Sequence, residues 1–296
     1  MNLQISKENQ KINTHGVFTL IGSALAFSLM TVCIKQLNGR IPVAELIFFR
    51  SLFSIITTRL MMIKDDINPW GANKKLLISR GLIGTAALFC VFKAVESLSL
   101  AAATIIQYTY PVFSAILAWP FLGEKIRSKI IFAIILGWIG IQVVVHPLWT
   151  SPSSQNLTFL PIGIALGGAF LTALAYVTVR KLSKSEHPLV IVFYFPLISI
   201  PVTLPFLFQQ GVIPQGDEWI WILGIGVFTQ LGQLLITQGL SLLPAGHAGS
   251  INYSQVFFAS LWGTIFFSEP VTLYLVIGAA CILLATLISL SDLPNF

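Results

Sequence analysis

The feature of this sequence that most constrains its fold is a series of long apolar runs separated by short polar breaks. A helix that crosses a bilayer needs roughly 20 mostly apolar residues, because the hydrocarbon core is about 30 Å thick. The runs predict an all-α integral membrane protein with ten transmembrane helices. The predicted helices cover residues 16–37, 42–63, 75–95, 100–122, 128–148, 158–182, 188–209, 217–241, 246–267 and 271–291.

The composition is incompatible with a soluble domain. Charged residues make up only 9% of the 296 residues, whereas soluble proteins carry about 25%. The net charge of +6 comes from lysines and arginines between the apolar runs, which is typical of topology determinants and not of a nucleic-acid surface. We therefore expect the protein to lie in a lipid bilayer and to bind no nucleic acid.

The chain lacks the sequence patterns of catalytic or cofactor sites. Cys33, Cys90 and Cys281 lie singly inside apolar runs, and the histidines are not spaced as metal ligands. HExxH, GxSxG and P-loop patterns are missing from the sequence, which argues against a hydrolase and an ATP-driven pump. We expect no metal, no cofactor and no enzymatic activity.

The basic residues predict the orientation. If the polar N-terminal tail, residues 1–15, is cytoplasmic, most lysines and arginines lie at the cytoplasmic ends of helices, and Arg80 is counted among them. An even number of helices then places the C-terminal tail, residues 292–296, on the same side. The first apolar run is longer than the core of a signal peptide, so we expect a retained helix. The small size and short loops favour a bacterial inner membrane.

One shift of 145 to 146 residues places the second half of the sequence on the first. IPVAELIFFRSL (41–52) falls on HPLVIVFYFPLI (187–198). AAATIIQYTYPVFSAILAWPFLGE (101–124) falls on GHAGSINYSQVFFASLWGTIFFSE (246–269). Because one offset serves distant segments, we interpret the two halves as an internal repeat.

Each repeat contains five predicted helices. The first covers 16–148 and the second covers 158–291, with a short outer loop, 149–157, between them. Because five is odd, the second repeat enters the membrane from the opposite side. Inverted repeats of this kind are typical of transporters.

The repeated segments also resemble a known family. PVAELIFFRSL in helix two, the stretch from SRGLIGTAALF to LAWPFLGEKI, and SLLPAGHAGSINYSQVFFASLWGTIFFSE are similar to the EamA type of the drug/metabolite transporter superfamily. Gly123-Glu124 and Ser268-Glu269 are the most specific part of this resemblance. It implies ten helices, cytoplasmic termini and transport of small organic solutes, often outward. The second repeat departs from this pattern, because Val256 stands where the first repeat has Pro111, which argues against a kink in helix nine.

Helix eight carries polar residues within an apolar run. Gln230, Gln233 and Thr237 recur on one helix face, and Gln238 follows about 100° further round. An amide that faces lipid leaves hydrogen bonds unmade. The stripe therefore predicts either hydrogen bonds between helices or, as we favour, a substrate-binding cavity.

Helices four and nine carry a second set of candidate substrate-binding residues. Gln107 and Tyr108 align with Asn252 and Tyr253, and Tyr110 lies close by. An amide beside a phenol can hold a polar or aromatic solute by hydrogen bonding and ring contact. The alternative is that the tyrosines only pack between helices.

Four charged residues are predicted within or near the membrane. Glu45 is the candidate for a proton-coupling carboxylate, whereas Arg50 either pins neighbouring carbonyl groups, contacts solute or extends to the interface. Lys93 and Glu96 are spaced to pair with each other.

Together these patterns predict a secondary transporter, an exporter or exchanger of small metabolites such as amino acids or their derivatives, that works by alternating access. Its partners are the solute, the lipid bilayer and, as a candidate coupling ion, a proton. The alternatives are a passive facilitator of the same fold and, less favoured, a membrane-embedded enzyme. The low interior charge argues against strongly anionic phosphosugars as solutes.

Overall fold

The computed structural model describes residues 2–37, 39–97, 104, 106–124, 127–149, 159–268 and 272–292. These residues form helices and connecting turns, and no strand occurs among them. The helices are α1 (Asn2–Gln36), α2 (Val43–Lys64), α3 (Lys74–Ser97), α4 (Tyr110–Leu122), α5 (Ser128–Trp149), α6 (Phe159–Leu182), α7 (Pro188–Gln210), α8 (Glu218–Leu242), α9 (Ala245–Asn252), α10 (Ser254–Phe267) and α11 (Leu273–Ser291).

Most helices begin and end close to the predicted residues, but α1 does not. It begins at Asn2 instead of residue 16, so the polar segment before the apolar run is helical. No proline or glycine precedes Gly16, and the backbone therefore meets no helix breaker in this segment.

The predicted helices four and nine are each interrupted near their middle. A turn at Tyr108 and Thr109 precedes α4, and Tyr253 separates α9 from α10. Helix nine is therefore interrupted although Val256 stands where the first half has Pro111. The interruption needs no proline, because the chain tightens through a bond from the Val256 N–H to the Tyr253 carbonyl, three residues back, at 3.0 Å.

Both interrupted helices end in the same way. The C-cap of α4 is Gly123, with φ 70°, and the C-cap of α10 is Ser268, with φ 52°. A left-handed residue ends a helix by turning the chain away from it, and glycine adopts this conformation at the lowest cost. The repeated Gly/Ser-Glu ending in the sequence therefore marks two equivalent helix ends.

The helices pack as a bundle in which distant parts of the chain are neighbours. α1 packs on α8 and α10, while α3 and α4 pack on α6. α2 lies against α7 and α8, and α3 also contacts α7. α5 pairs with α11, and α4 crosses α9.

The outside of the bundle is apolar, as expected for a surface in contact with lipid. Phe159, Trp119, Phe208 and Leu287 are exposed, and soluble monomers rarely expose such apolar area. Among the described residues, six helices are long and apolar enough to cross a membrane. They are Thr14–Gln36, Val43–Lys64, Phe159–Leu182, Pro188–Gln210, Glu218–Leu242 and Leu273–Ser291.

The close crossing of α5 and α11 gives a test of the packing. A Cβ added at Gly278 would lie 2.6 Å from the Gly140 carbonyl oxygen and 2.4 Å from a Val144 methyl. We predict that Gly278→Leu destabilises the protein by about 1–3 kcal/mol, because the helices must separate. Thermal unfolding in detergent measures this loss. Gly163→Leu on α6 is the control, since a Cβ there meets nothing within 4 Å; equal losses would contradict the packing.

Candidate functional site

The two helix interruptions meet inside the bundle. The Tyr253 hydroxyl donates a hydrogen bond to the Tyr108 carbonyl oxygen at 3.4 Å, and their ring centroids are 6.3 Å apart. Tyr253 is fully buried. A backbone carbonyl at a helix break lacks its helical partner, and a phenol from the second half of the chain satisfies it here.

A group of tyrosines continues from this meeting point toward α6. The Tyr110 ring is 6.2 Å from that of Tyr108 and contacts Tyr176 edge to face at 5.4 Å. Tyr110 also interacts with the Asn252 side chain by a hydrogen bond. These aromatic rings and the amide form one polar and aromatic cluster, which we call the tyrosine cluster: Tyr108, Tyr110, Tyr176, Asn252 and Tyr253.

Gln107 lies at the edge of this cluster. Its Nε2 donates to the Thr172 hydroxyl on α6 at 3.3 Å, and its side chain is half-buried. The structure thus brings together the predicted residues of helices four and nine.

Arg50 approaches the tyrosine cluster from α2, accompanied by Arg80 from α3. Their Cζ atoms lie 5.4 and 4.9 Å from the centre of the Phe195 ring. Both guanidinium groups lie on the side of the bundle where Tyr176 is found, and both side chains are buried, with 7% and 4% exposure. The site therefore has a cationic side and a phenolic side.

The structure shows that the side chain of Arg80 turns into the bundle, which the sequence did not indicate. Arg80 lies in the second turn of α3, near the end that the basic residues predict to be cytoplasmic, where a long cationic side chain normally reaches water. Instead, its guanidinium folds over Gly84, where an added Cβ would lie 2.4 Å from Nη1. The glycine one helical turn after the arginine was the signal available in the sequence, because it removes the side chain that otherwise fills this space.

Tyr176 was also missed. It follows Ala169 and Ala173 at spacings of four and three residues, which places all three on one face of α6. The two alanines are fully buried against Tyr110. Small residues beside a tyrosine allow α4 to approach α6 closely.

The polar stripe of α8 does not face a single environment. Gln230 is buried, its Nε2 donates to the Thr58 hydroxyl at 2.8 Å, and its Oε1 accepts a bond from the Ser54 hydroxyl. For Gln230, the polar side chain therefore forms hydrogen bonds between helices, which is the alternative to lining a substrate-binding cavity. Gln238 lies at the surface, with its Nε2 3.2 Å from a His15 ring nitrogen.

The other two residues of the stripe lie between these extremes. Thr237 is almost fully buried, at 1% exposure, and Gln233 is partly exposed. The side-chain hydrogen bonds of Gln230 and Gln238 go to α2 and to His15, and none of these bonds joins the stripe to the tyrosine cluster.

The remaining charged candidates lie near the end of the bundle where α2 begins. The buried Glu45 carboxylate accepts a hydrogen bond from the Val212 N–H at 2.8 Å. Lys93 is exposed and lines a cavity of about 550 Å³ together with Phe89, Phe206 and residues of α2 and α6. The side chain of Glu96 lies outside the described residues.

This end, which we call the Glu218 end, also holds an ion pair. Arg40 forms a two-pronged pair with Glu218, and its Nη2 donates to the Ile213 carbonyl at 3.2 Å. Hydrogen bonding to the carboxylate raises the pKa of Arg40. The pair fastens the α1–α2 connection to the start of α8.

The opposite end, the Glu124 end, is tied more extensively. Arg180 donates to Glu124 at 3.0 Å and to the carbonyl oxygens of Leu240 and Ser241 at 3.0 and 2.7 Å. Glu124 also accepts a bond from the Ala245 N–H at 2.9 Å. These contacts join α4, α6, α8 and α9 at one point.

A model of the EamA-like transporter family matches residues 14–146 and, a second time, residues 160–291. The chain belongs to this family. The resemblance drawn from the sequence motifs is thereby confirmed.

Named relatives of this EamA-like chain are transporters. It is 30% identical to the pseudopaline exporter CntI of Pseudomonas aeruginosa, over 91% of this chain and 94% of that protein. It is 28% identical to solute carrier family 35 member G1 of Mus musculus, over 92% of this chain and 77% of that protein. One solved crystal structure is similar with a TM-score of 0.78 over 95% of this chain and 96% of its own, at 16% identity. That similarity supports the fold.

The contacts of Gln230 make a prediction that needs no solute. Gln230→Leu removes two interhelical hydrogen bonds and leaves two buried hydroxyl groups of α2 without this partner, so it should destabilise the empty protein by about 1–2 kcal/mol. Thermal unfolding in lipid nanodiscs measures the loss. Gln238→Leu on the same helix is the control, because Gln238 is exposed. An unchanged unfolding temperature for Gln230→Leu would show that this residue does not hold α8 to α2.

Proposed function

We propose that this EamA-like protein is a secondary transporter that exports a small organic metabolite, such as an amino acid or its derivative, by alternating access. The observation that carries the proposal is the meeting of two interrupted helices at the tyrosine cluster. Interrupted helices are a common way to build solute sites near the middle of a transporter. The named activity of the relative CntI as an exporter supports the outward direction.

The pattern of helix contacts supports two inverted repeats, 16–148 and 158–291. In the repeat, α1, α2, α3 and α5 correspond to α6, α7, α8 and α11, and α4 corresponds to α9 with α10. Exchanging the halves converts the α1–α8 contact into the α3–α6 contact, and the α2–α8 contact into the α3–α7 contact. The α2–α7 and α5–α11 contacts convert into themselves. A pseudo-two-fold axis between the repeats produces this pattern, and the two matches to one family model agree with it.

The ends of the bundle support a specific order of opening. We propose that the Glu124 end is cytoplasmic, as the basic residues predict, in a bacterial inner membrane. The contacts around Arg180 hold this end closed, whereas a cavity of about 550 Å³ lies toward the opposite end. Release of the Arg180 contacts and closure around α2 and α7 would then expose the site to the cytoplasm.

The transport proposal predicts exchange across a sealed membrane. Proteoliposomes loaded with an unlabelled metabolite mixture should take up a labelled member of that mixture, and an imposed proton gradient should drive the uptake. We predict that Glu45→Gln keeps the exchange and loses the response to the gradient, because the amide oxygen still accepts the Val212 N–H bond but binds no proton.

Each alternative gives a different result in this assay. A wild-type protein that equilibrates solute without responding to the gradient is a facilitator. Conversion of solute by detergent-solubilised protein would indicate an enzyme. Gradient-driven uptake that persists in Glu45→Gln would remove Glu45 as the coupling carboxylate.

The proposed orientation predicts the labelling of engineered cysteines. In a variant with Cys33, Cys90 and Cys281 replaced by alanine, Gln215→Cys should react with an impermeant maleimide on intact cells. Lys184→Cys should react only after permeabilisation, because the residue lies near the Glu124 end. Both positions are exposed, so access differs only by the side of the membrane. Labelling of both from outside would contradict the orientation.

A further inference from the structure

Arg50 and Arg80 place two positive charges on a single aromatic ring. Both guanidinium groups lie within 5.4 Å of the centre of Phe195, on α7, and both are buried. Arginine keeps its proton in proteins, so burial leaves both charges in place. Two like charges this close repel each other, and their separation from water adds a further cost.

The described residues supply no anion to balance these charges. No carboxylate of the described residues forms an ion pair with Arg50 or Arg80, and Tyr176, a neutral phenol, is the titratable side chain of opposite sign nearest in influence. The Nε and Nη1 atoms of Arg80 are buried and have no hydrogen-bond acceptor in the described structure. The nearest carboxylate on α2, Glu45, already binds the Val212 N–H.

The Phe195 ring does not account for the arrangement by itself. A cation above an aromatic face gains about 0.5–2 kcal/mol. The N–H groups lie in the plane of the guanidinium and still require acceptors, and a buried donor without an acceptor costs about 1–3 kcal/mol. An anionic hydrogen-bond acceptor would both balance the positive charge of the arginines and accept hydrogen bonds from their N–H groups.

We propose that Arg50 and Arg80 form the binding subsite for a carboxylate of the transported solute; this inference rests on the transport proposal and specifies its solute class. A planar carboxylate matches the paired N–H groups of a guanidinium. Tyr176 lies on the side of the tyrosine cluster that is near the two arginines, and its ring contacts that of Tyr110 edge to face at 5.4 Å. The carboxylate therefore binds at the arginines while the polar or aromatic body of the solute lies along the tyrosine cluster.

The structure adds a second buried arginine to an interior that the sequence predicts to carry little charge. With Arg80 assigned to the membrane edge, the sequence left Arg50 as the single interior arginine considered for solute contact. The structure adds the second cation that an anionic solute requires.

The test compares acids with their neutral amides in thermal-unfolding experiments on the purified, full-length protein. The probes are 4-hydroxyphenylacetate, succinate and N-acetyl-L-tyrosine, each with its amide, and inorganic phosphate. At least one acid should raise the unfolding temperature of the wild type while its amide does not. Arg80→Gln and Arg50→Gln should weaken the apparent affinity for that acid about tenfold to hundredfold.

Matched variants separate binding from general damage. Arg59→Gln, an exposed arginine on α2, should keep the wild-type affinity. Arg80→Lys retains the charge without the paired N–H groups and should bind with intermediate affinity. The acid–amide comparison on wild-type protein stands even if an arginine variant does not fold.

Four results would overturn the inference. They are no shift with any acid, equal shifts with acids and amides, acid binding that survives Arg80→Gln, and a phosphate shift as large as that of the best carboxylate. Failure of the transport proposal is distinguishable, because it appears as the absence of exchange in proteoliposomes for charged and neutral solutes alike.

Discussion

The requirement that backbone polar groups be satisfied without water determines the architecture. In hydrocarbon each unpaired N–H or C=O group costs several kcal/mol, so the membrane-spanning backbone must be helical. The two helix interruptions are compatible with this requirement only because they lie inside the bundle. There the Tyr253 hydroxyl reaches the Tyr108 carbonyl oxygen, so a side chain of the second half of the chain satisfies a backbone group of the first half.

The same requirement explains the distribution of charge. At the Glu124 end, Arg180 binds both a carboxylate and free helix-end carbonyl groups. At the Glu218 end, Glu45 accepts a bond from a loop N–H and Arg40 pairs with Glu218. These helix-end charges have protein partners, whereas the buried arginines on Phe195 have no carboxylate partner among the described residues. In a transporter, buried positive charges without a protein partner can bind an anionic solute, and the attraction between them then contributes to the affinity for that solute.

The residues of the candidate site that could be predicted are those that the alignment of the two halves of the sequence places at equivalent positions. Tyr108 and Tyr253 were identified because one offset aligned them, and the structure brings them together. The α8 stripe was predicted from periodicity alone, and periodicity gives the shared face of a helix but not the neighbour of that face. In the structure the neighbour of Gln230 is α2, where Ser54 and Thr58 bind its side chain. These two residues are four positions apart and therefore lie on the same face of α2.

The sequence by itself determined the membrane class, the approximate helix ends, the repeat offset and the family, because these follow from local hydropathy, from spacing and from motif order. The tertiary structure alone decided that Arg80 turns inward, that Tyr176 joins the tyrosine cluster and that helix nine is interrupted without proline. Side-chain direction at a given depth depends on the space left by neighbouring helices, such as the gap at Gly84 beside Phe195. That space arises from packing between residues more than one hundred positions apart, which a single sequence does not record.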